Sequence, residues 1–176
     1  MEQEVSRDVS TGKTLVDKEG IYLIVPYGPE KQLLDGIREV SDDGRKVRGW
    51  RLIRDEDCRG HFNPKMGLPQ IFPSIFVLEM FGQLANYLLI TLFPGCVGLF
   101  NREISSDDGF DFPVLPGDLL ELEVKIVSLR KKEAQIYGMA FVRGKEVYHK
   151  VAGASFGMSV VTQRSLNYLV ASRSLS

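Results

Sequence analysis

The stretch FPSIFVLEMFGQLANYLLITLFPG, residues 72–95, decides the fold. Pro73 can occupy the first turn of a helix without losing a hydrogen bond, and Pro94 ends the run. From Ile75 to about Ile90, apolar side chains cover nearly every face of the helix that these residues would form. We therefore predict a helix that is enclosed by other structure.

The same stretch is apolar enough to be compared with a membrane-spanning helix, which needs roughly 20 residues. Glu79, Gln83 and Asn86 lie within it, however, and polar groups at that depth in a membrane are costly without partners. We expect no membrane span.

Strand signals lie on both sides of this helix. Residues 119–127, LLELEVKIV, alternate apolar and charged side chains, so one face of this strand is predicted to be buried. Turn residues at 41–44 (SDDG), 105–109 (SSDDG) and 143–145 (RGK) separate further segments. The other predicted strands are 21–25, 32–40, 45–53, 97–100, 134–142 and 146–158. This order predicts an α+β fold in which an antiparallel β-sheet is wrapped around a long central helix.

Length and composition indicate one domain. A chain of 176 residues with 44% hydrophobic content can bury one substantial core. We predict a flexible N-terminal lead-in at residues 1–20, without the apolar run of a secretory signal. The domain is predicted to span residues 21–158, and residues 159–176 are predicted to be a loosely held tail.

Charge and cysteine content argue against several classes of partner. With 22 Lys+Arg against 23 Asp+Glu, the formal net charge is -1, so nothing at this level attracts nucleic acid. The two cysteines, Cys58 and Cys96, are too few for a disulfide scaffold or a thiolate metal site, and they fit a reducing compartment such as the cytoplasm. The sequence contains no metal-ligand spacing, phosphate loop or nucleophile motif, so no metal or cofactor is expected.

His61 and Glu79 occupy the most distinctive settings for chemistry. Glu79 lies among apolar helix residues, where desolvation raises the pKa of a carboxyl and helps it to keep a proton for donation. His61 precedes a loop interrupted by Pro64 and Gly67, and an ordinary imidazole can accept a proton near neutral pH. The two residues can therefore act as general acid and base. The structural alternative is that the Glu pairs with an Arg or Lys and the His is a loop residue.

Three other positions bear on the site. Free backbone N–H groups at the helix start, Pro73 to Ile75, can polarise a substrate carbonyl. Gln83 shares a helix face with Glu79 and can hydrogen-bond either to it or to a backbone carbonyl. His149 lies in a predicted strand without an evident carboxylate partner, so we expect it to be structural.

Four local motifs carry a resemblance to the 3-hydroxyacyl-acyl carrier protein dehydratase family. They are LLDGIREV at 33–40, RGHF at 59–62, FPSIFVLEMFGQLA at 72–85 and FPVLPGDLLELEV at 112–124. Their order and local spacing agree with that family over most of the chain, from about residue 21 to residue 158. The resemblance implies a hot-dog fold, with His61 as the catalytic base, Glu79 as the acid and Gln83 as a supporting residue on the same helix face.

The resemblance also implies a reaction and its partners. The reaction is removal of water from a 3-hydroxyacyl thioester to give a trans-2-enoyl thioester, in fatty acid, polyketide or other secondary-metabolite biosynthesis. Acyl carrier protein would present the substrate on its phosphopantetheine arm. Family members are homodimers or larger homo-oligomers, and each site combines the His of one subunit with the acid of the other. The residues implied to contact substrate are Phe62, Pro73, Ser74, Ile75 and Gln83.

Two features depart from the family pattern. The loop between His61 and Glu79 is longer, which can reshape the mouth of the acyl tunnel. Ser74 stands where a glycine usually follows the proline, and its side chain can alter access to the site. These departures suggest a specialised branch and leave two alternatives open. One is a hot-dog thioesterase, in which the helix carboxylate activates water. The other is a non-catalytic module that binds acyl chains or acyl carrier protein.

Overall fold

The computed structural model describes residues 13–101, 110–144 and 148–173, so the turn expected at 105–109 and part of that at 143–145 lie outside the described residues. Within these ranges the chain forms seven strands and four α-helices, and short 3-10 turns occur at Pro29–Lys31 and Pro64–Met66. In chain order the elements are β1 (Val16–Asp17), α1 (Lys18–Ile24), β2 (Gly36–Val40), β3 (Lys46–Leu52), α2 (Asp55–Cys58), α3 (Ser74–Leu92), β4 (Cys96–Phe100), β5 (Leu119–Arg130), β6 (Glu133–Arg143), β7 (Tyr148–Thr162) and α4 (Gln163–Arg173).

The described strands form one antiparallel sheet in the order β1-β2-β3-β5-β6-β7-β4. The hairpin expected around residues 41–44 joins β2 to β3, with Val40 opposite Val47. The second expected hairpin pairs β6 with β7, and Arg143 lies opposite Tyr148. Strands β1 and β4 are the two edges of the sheet.

Helix α3 packs against the inner face of this sheet. In β5, Leu120, Leu122 and Val124 are buried, while the intervening residues are more exposed, so the predicted alternation is confirmed. The helix approaches β6 closely at Gly138, where a Cβ would lie 2.7 Å from the Phe81 ring. A sheet wrapped around a long helix is the predicted α+β arrangement.

Helix α3 is long and apolar enough to cross a membrane by length and composition alone. In this structure 61% of its most apolar window is buried inside the protein. Its polar residues Gln83 and Asn86 are 0% and 2% exposed and have partners within the fold. The apolar character of α3 is therefore accounted for by its position in the core.

The strand predicted at residues 21–25 was wrong, because these residues belong to α1 and its C-terminal cap. Asp17 caps the helix by accepting a hydrogen bond from the backbone N–H of Gly20 at 2.8 Å. One face of α1 then enters the core through Ile21, which is fully buried. The apolar run has strand composition, but the cap and the burial of one face favour a helix.

The C-terminal limit predicted at residue 158 falls inside β7, which continues to Thr162. Val160 is 5% exposed and lies opposite Gly98 of the edge strand β4. Helix α4 follows directly. Pairing with β4 holds these last strand residues, and this long-range contact has no signal in the local sequence. At the other end, β1 and the first turn of α1 also lie before the predicted limit at residue 21.

Candidate active site

Glu79 lies in the second turn of α3 and is half-buried. Burial raises the pKa of its carboxyl, and the nearby Gln83 amide offsets part of this rise by favouring the charged form. Within the described residues, no lysine or arginine forms an ion pair with Glu79. Within the described residues, the structural alternative that Glu79 pairs with an Arg or Lys is therefore not observed.

Gln83 is fully buried one turn after Glu79. Its Nε2 donates to the carbonyl of Lys31 at 2.7 Å, and its Oε1 accepts from the N–H of Leu33 at 3.0 Å. The side chain thus binds an extended segment as a neighbouring strand would. This arrangement fastens residues 31–33 beside the helix turn that carries Glu79.

His61 begins the irregular loop before α3, and its side chain is exposed. Its backbone N–H donates to the carbonyl of Cys58 at 3.3 Å, and Gly60 before it has a φ of 80°. The imidazole packs against Phe62 with ring centroids 4.5 Å apart. Within the described part of a single chain, no hydrogen bond or ring contact joins His61 to Glu79. Within one subunit the two groups are therefore not in direct contact.

The segment before His61 is held by a buried ion pair. Arg51 donates from Nε to Oδ2 of Asp57 at 3.2 Å and also binds the carbonyl of Leu33. Asp57 accepts in addition from the N–H of Arg54 at 2.9 Å, which fixes the start of α2. Sequence analysis missed this contact, although Arg51 shares the apolar side of β3 with Val47. A cation on a buried strand face is a signal that it has a partner.

The start of α3 presents the remaining predicted residues. Pro73 is the N-cap and Ser74 the first helical residue, and no side chain caps the free amides. Pro73 and Ser74 are half-buried, whereas Ile75 is 64% exposed. The N–H of Phe72 donates to the carbonyl of Val114 at 2.8 Å, which joins the helix start to the loop before β5.

Two polar residues near Glu79, Asn86 and Tyr27, were not predicted from the sequence to belong to a site. Asn86 Nδ2 donates to the hydroxyl oxygen of Tyr27 at 3.1 Å, and its Oδ1 accepts from the N–H of Gly98 at 2.7 Å. Tyr27 comes from the segment before β2, far from Asn86 in sequence. A lone tyrosine between Pro26 and Gly28 carries no pattern that would reveal this contact.

His149, expected to be structural, stacks on Phe112 with ring centroids 4.5 Å apart and planes 8° apart. On the outer face of the sheet, a cavity of about 730 Å³ is lined by Arg38, Glu121 and neighbouring side chains, and neither His61 nor Glu79 lines it. Its charges are largely neutralised by the Arg38–Glu121 and Arg48–Glu123 ion pairs. We therefore take this cavity as separate from the candidate site.

Curated proteins similar in sequence to this chain share one description. The chain is 31% identical over 143 residues to a protein of Koribacter versatilis named as the 3-hydroxyacyl-[acyl-carrier-protein] dehydratase FabZ, covering 78% of this chain and 86% of the relative. It is 34% identical over 124 residues to the protein of the same name from Symbiobacterium thermophilum, covering 68% of this chain and 82% of the relative.

Solved structures agree on the fold. A hot-dog-like protein from Thermanaerovibrio acidaminovorans superposes with a TM-score of 0.59 at 19% identity, covering 73% of this chain and 89% of that one. A dehydratase heterocomplex from Xenorhabdus doucetiae gives a TM-score of 0.61 at 15% identity, covering 85% and 96%. No family model matches the sequence. The predicted hot-dog fold is confirmed, and from its sequence relatives the chain belongs to the 3-hydroxyacyl-acyl carrier protein dehydratase family.

Proposed function

We propose that this protein removes water from a 3-hydroxyacyl thioester carried by acyl carrier protein and forms a trans-2-enoyl thioester. The observation that carries the proposal is the Glu79 carboxyl, half-buried on the central helix without an ion-pair partner among the described residues. Burial raises its pKa, so a larger fraction of it is protonated than of an ordinary glutamate. A protonated carboxyl is what a departing hydroxyl needs.

In the proposed reaction His61 takes the proton from the carbon next to the thioester carbonyl. The electron pair of that C–H bond forms the double bond, the C–O bond at carbon 3 breaks, and Glu79 protonates the departing hydroxyl to give water. The uncapped amides at the start of α3 polarise the carbonyl as negative charge develops on its oxygen. The reaction needs no redox step.

The active unit is proposed to be a homodimer or larger homo-oligomer, in which His61 of one subunit faces Glu79 of the other. The lack of a direct contact between the two residues within the described part of one chain is consistent with this assignment. So are exposed apolar side chains near the helix start and on β4, which a second copy would cover. They are Ile75 at 64%, Phe76 at 39%, Leu99 at 38% and Phe100 at 43% exposure.

Substrate is proposed to contact Phe62, Pro73, Ser74 and Ile75, whereas Gln83 is fully buried and is proposed to support the site from behind Glu79. Pro73 and Ser74 border the helix amides, and Phe62 packs against His61. Gln83 supports the site in two ways: it holds residues 31–33 beside the helix, and its amide favours the charged form of Glu79. We place the reaction in fatty acid or in polyketide or other secondary-metabolite biosynthesis, and in the cytoplasm because Cys58 and Cys96 are free thiols.

The test is mass spectrometry of 3-hydroxyacyl carrier-protein substrates incubated with wild type, His61→Ala and Glu79→Gln. We expect loss of one water with wild type and at least about a hundred-fold slower loss with either variant, because general acid–base groups contribute that much or more. His149→Ala and Glu30→Gln are matched controls outside the site and should dehydrate at the wild-type rate.

The same assay contains the outcomes that contradict the proposal. Release of free acid and thiol would indicate the thioesterase. Substrates that stay intact with wild type, even when the reaction is started from the enoyl side, would indicate the binding module.

A further inference from the structure

Tyr27 is anchored over the helix by a buried amide. Its hydroxyl oxygen accepts a hydrogen bond from Asn86 Nδ2 at 3.1 Å. Asn86 is 2% exposed, and it also binds Gly98, donating to the carbonyl at 3.2 Å and accepting from the N–H at 2.7 Å. Because Asn86 is itself held by the edge strand, the Tyr27 hydroxyl has a fixed position.

That position lies on the helix face that carries Glu79. Residues 79, 82 and 86 are three and four residues apart, so they follow one another along one face of α3. A Cβ at Gly82 would lie 3.9 Å from the Tyr27 hydroxyl oxygen and 2.8 Å from the Phe100 ring. The hydroxyl therefore lies about one helix turn from Glu79, in a space that Gly82 leaves open.

Tyr27 and Glu79 also interact electrostatically. Burial and then the negative charge of Glu79 raise the pKa of Tyr27 to about 12, although the Asn86 hydrogen bond acts in the opposite direction. The hydroxyl is therefore neutral at physiological pH. Its oxygen accepts from Asn86, so its own proton is available for donation.

Few groups act on the Glu79 carboxylate. On its own helix the Gln83 amide favours the charged form, and Gln83 also binds Lys31 and Leu33. From β4, Phe100 offers only an aromatic ring over Gly82. Within the described residues no lysine or arginine forms an ion pair with Glu79. A neutral donor such as Tyr27 can therefore have a large influence on this carboxyl.

We propose that Tyr27 is a positioning residue for Glu79, and that its hydroxyl donates a hydrogen bond to the carboxylate through one bridging water. This hydrogen bond holds the carboxyl toward the reacting oxygen and stabilises its charged form after it has given up its proton. The proposal rests on the role proposed above for Glu79. No residue before β2 was a candidate for the site from the sequence.

The experiment is a carboxyl NMR titration of the full chain labelled with 13C-glutamate, with the Glu79 signal assigned by its loss in Glu79→Gln. In Tyr27→Phe we expect Glu79 to titrate at higher pH than in wild type, because the donor that favours the carboxylate is gone. Tyr22→Phe removes a hydroxyl from an exposed tyrosine on α1 and should leave the Glu79 titration unchanged. An unchanged titration in Tyr27→Phe, or an equal shift in both variants, would overturn the proposal.

Kinetics supply the second readout. Loss of one hydrogen bond to a charged group should lower kcat of Tyr27→Phe by about ten-fold or more with little change in KM. If wild type does not dehydrate the substrate, the proposed function fails, and if Glu79→Gln leaves dehydration intact, the proposed role of Glu79 fails. In either case the NMR shift in Tyr27→Phe still reports whether the hydroxyl acts on Glu79. Failure of the Tyr27 proposal is therefore distinguishable from both.

Discussion

Arg51 and Asp57 form a buried ion pair that links the loop of His61 to the helix of Glu79. The guanidinium of Arg51 binds both the Asp57 carboxylate and the carbonyl of Leu33. The N–H of Leu33 is bound by Gln83 on the helix. A continuous set of hydrogen bonds therefore runs from α2, which precedes His61, to the turn of α3 that follows Glu79.

Asp57→Asn should destabilise the fold, because it leaves the Arg51 charge buried without a counter-charge. The two side chains are 8% and 12% exposed, so we expect a loss of roughly 3 kcal/mol in the free energy of unfolding, measured by urea denaturation. Glu56→Gln changes an exposed carboxylate in the same helix and is the control. A loss below about 0.5 kcal/mol in Asp57→Asn, as for an ordinary surface change, would contradict this account.

The Asp57 pair also predicts a dependence of stability on pH. Burial alone would raise the pKa of Asp57, but hydrogen bonds and charges from Arg51 and Arg54 outweigh it and hold the pKa below its ordinary value. Folding thus favours the ionised form. This stability is fully present above the pKa of the unfolded chain, and it is lost as pH falls through the pKa of the folded protein.

Urea denaturation of wild type and Asp57→Asn between pH 7 and about pH 3 measures this effect. The difference in unfolding free energy between the two proteins should shrink as the solution becomes more acidic. A difference that stays constant over this range would show that ionisation of Asp57 is not linked to folding.

Mixed dimers test whether each active site combines two subunits. Random pairing of His61→Ala with Glu79→Gln chains should restore about a quarter of wild-type activity, because each mixed dimer then contains one site with both residues intact. The control mixes wild type with the double variant. Its mixed dimers contain no intact site, so its activity should be the quarter contributed by wild-type homodimers. If both residues act from the same subunit, the first mixture should be inactive and the control should keep about half of wild-type activity.

Two glycines that approach aromatic rings should respond differently to alanine. In Gly138→Ala the new methyl group would lie 2.7 Å from the fully buried Phe81 ring, so we expect a loss of about 1–3 kcal/mol in stability. In Gly82→Ala it would lie 2.8 Å from the far end of the Phe100 ring, which is less enclosed within one chain than the Phe81 ring. Better helix propensity offsets part of that cost.

For activity the order should be reversed: Gly82→Ala should lose more kcat than Gly138→Ala. Gly82→Ala displaces the groups over the Glu79 face, so we expect about a ten-fold fall in kcat with a melting temperature close to wild type. When assayed well below its melting temperature, Gly138→Ala should keep the wild-type kcat. Equal effects of the two substitutions on both quantities would contradict the position assigned to Gly82.

Local patterns were sufficient for the central helix and most strands. The helix predicted from Ile75 to about Ile90 is found at Ser74–Leu92, and the alternation at residues 119–127 lies within β5. In both cases burial follows the local period of the chain. The run at residues 21–25 was assigned incorrectly, because the Asp17 cap and the burial of Ile21 outweigh strand propensity.

Candidate site residues with a local signal were found, and those defined by distant contacts were missed. A carboxylate inside an apolar helix identified Glu79 as a candidate, and a loop rich in proline and glycine did so for His61. The partners of Gln83, Leu33 and Lys31, lie 50 and 52 positions away along the chain. Tyr27 approaches Asn86 across 59 residues. Such contacts depend on how helices and strands pack together, and a short stretch of sequence carries no information about that packing.

The hydrogen bonds of Asn86 have a consequence for how the protein behaves at high concentration. Strand β4 is an edge of the sheet, and an edge normally offers free N–H and C=O groups on which strands of other molecules can assemble. At Gly98, in the middle of β4, Asn86 occupies both groups. A side chain from the core thus withdraws the centre of this edge from strand addition, which favours discrete assemblies over open-ended aggregation.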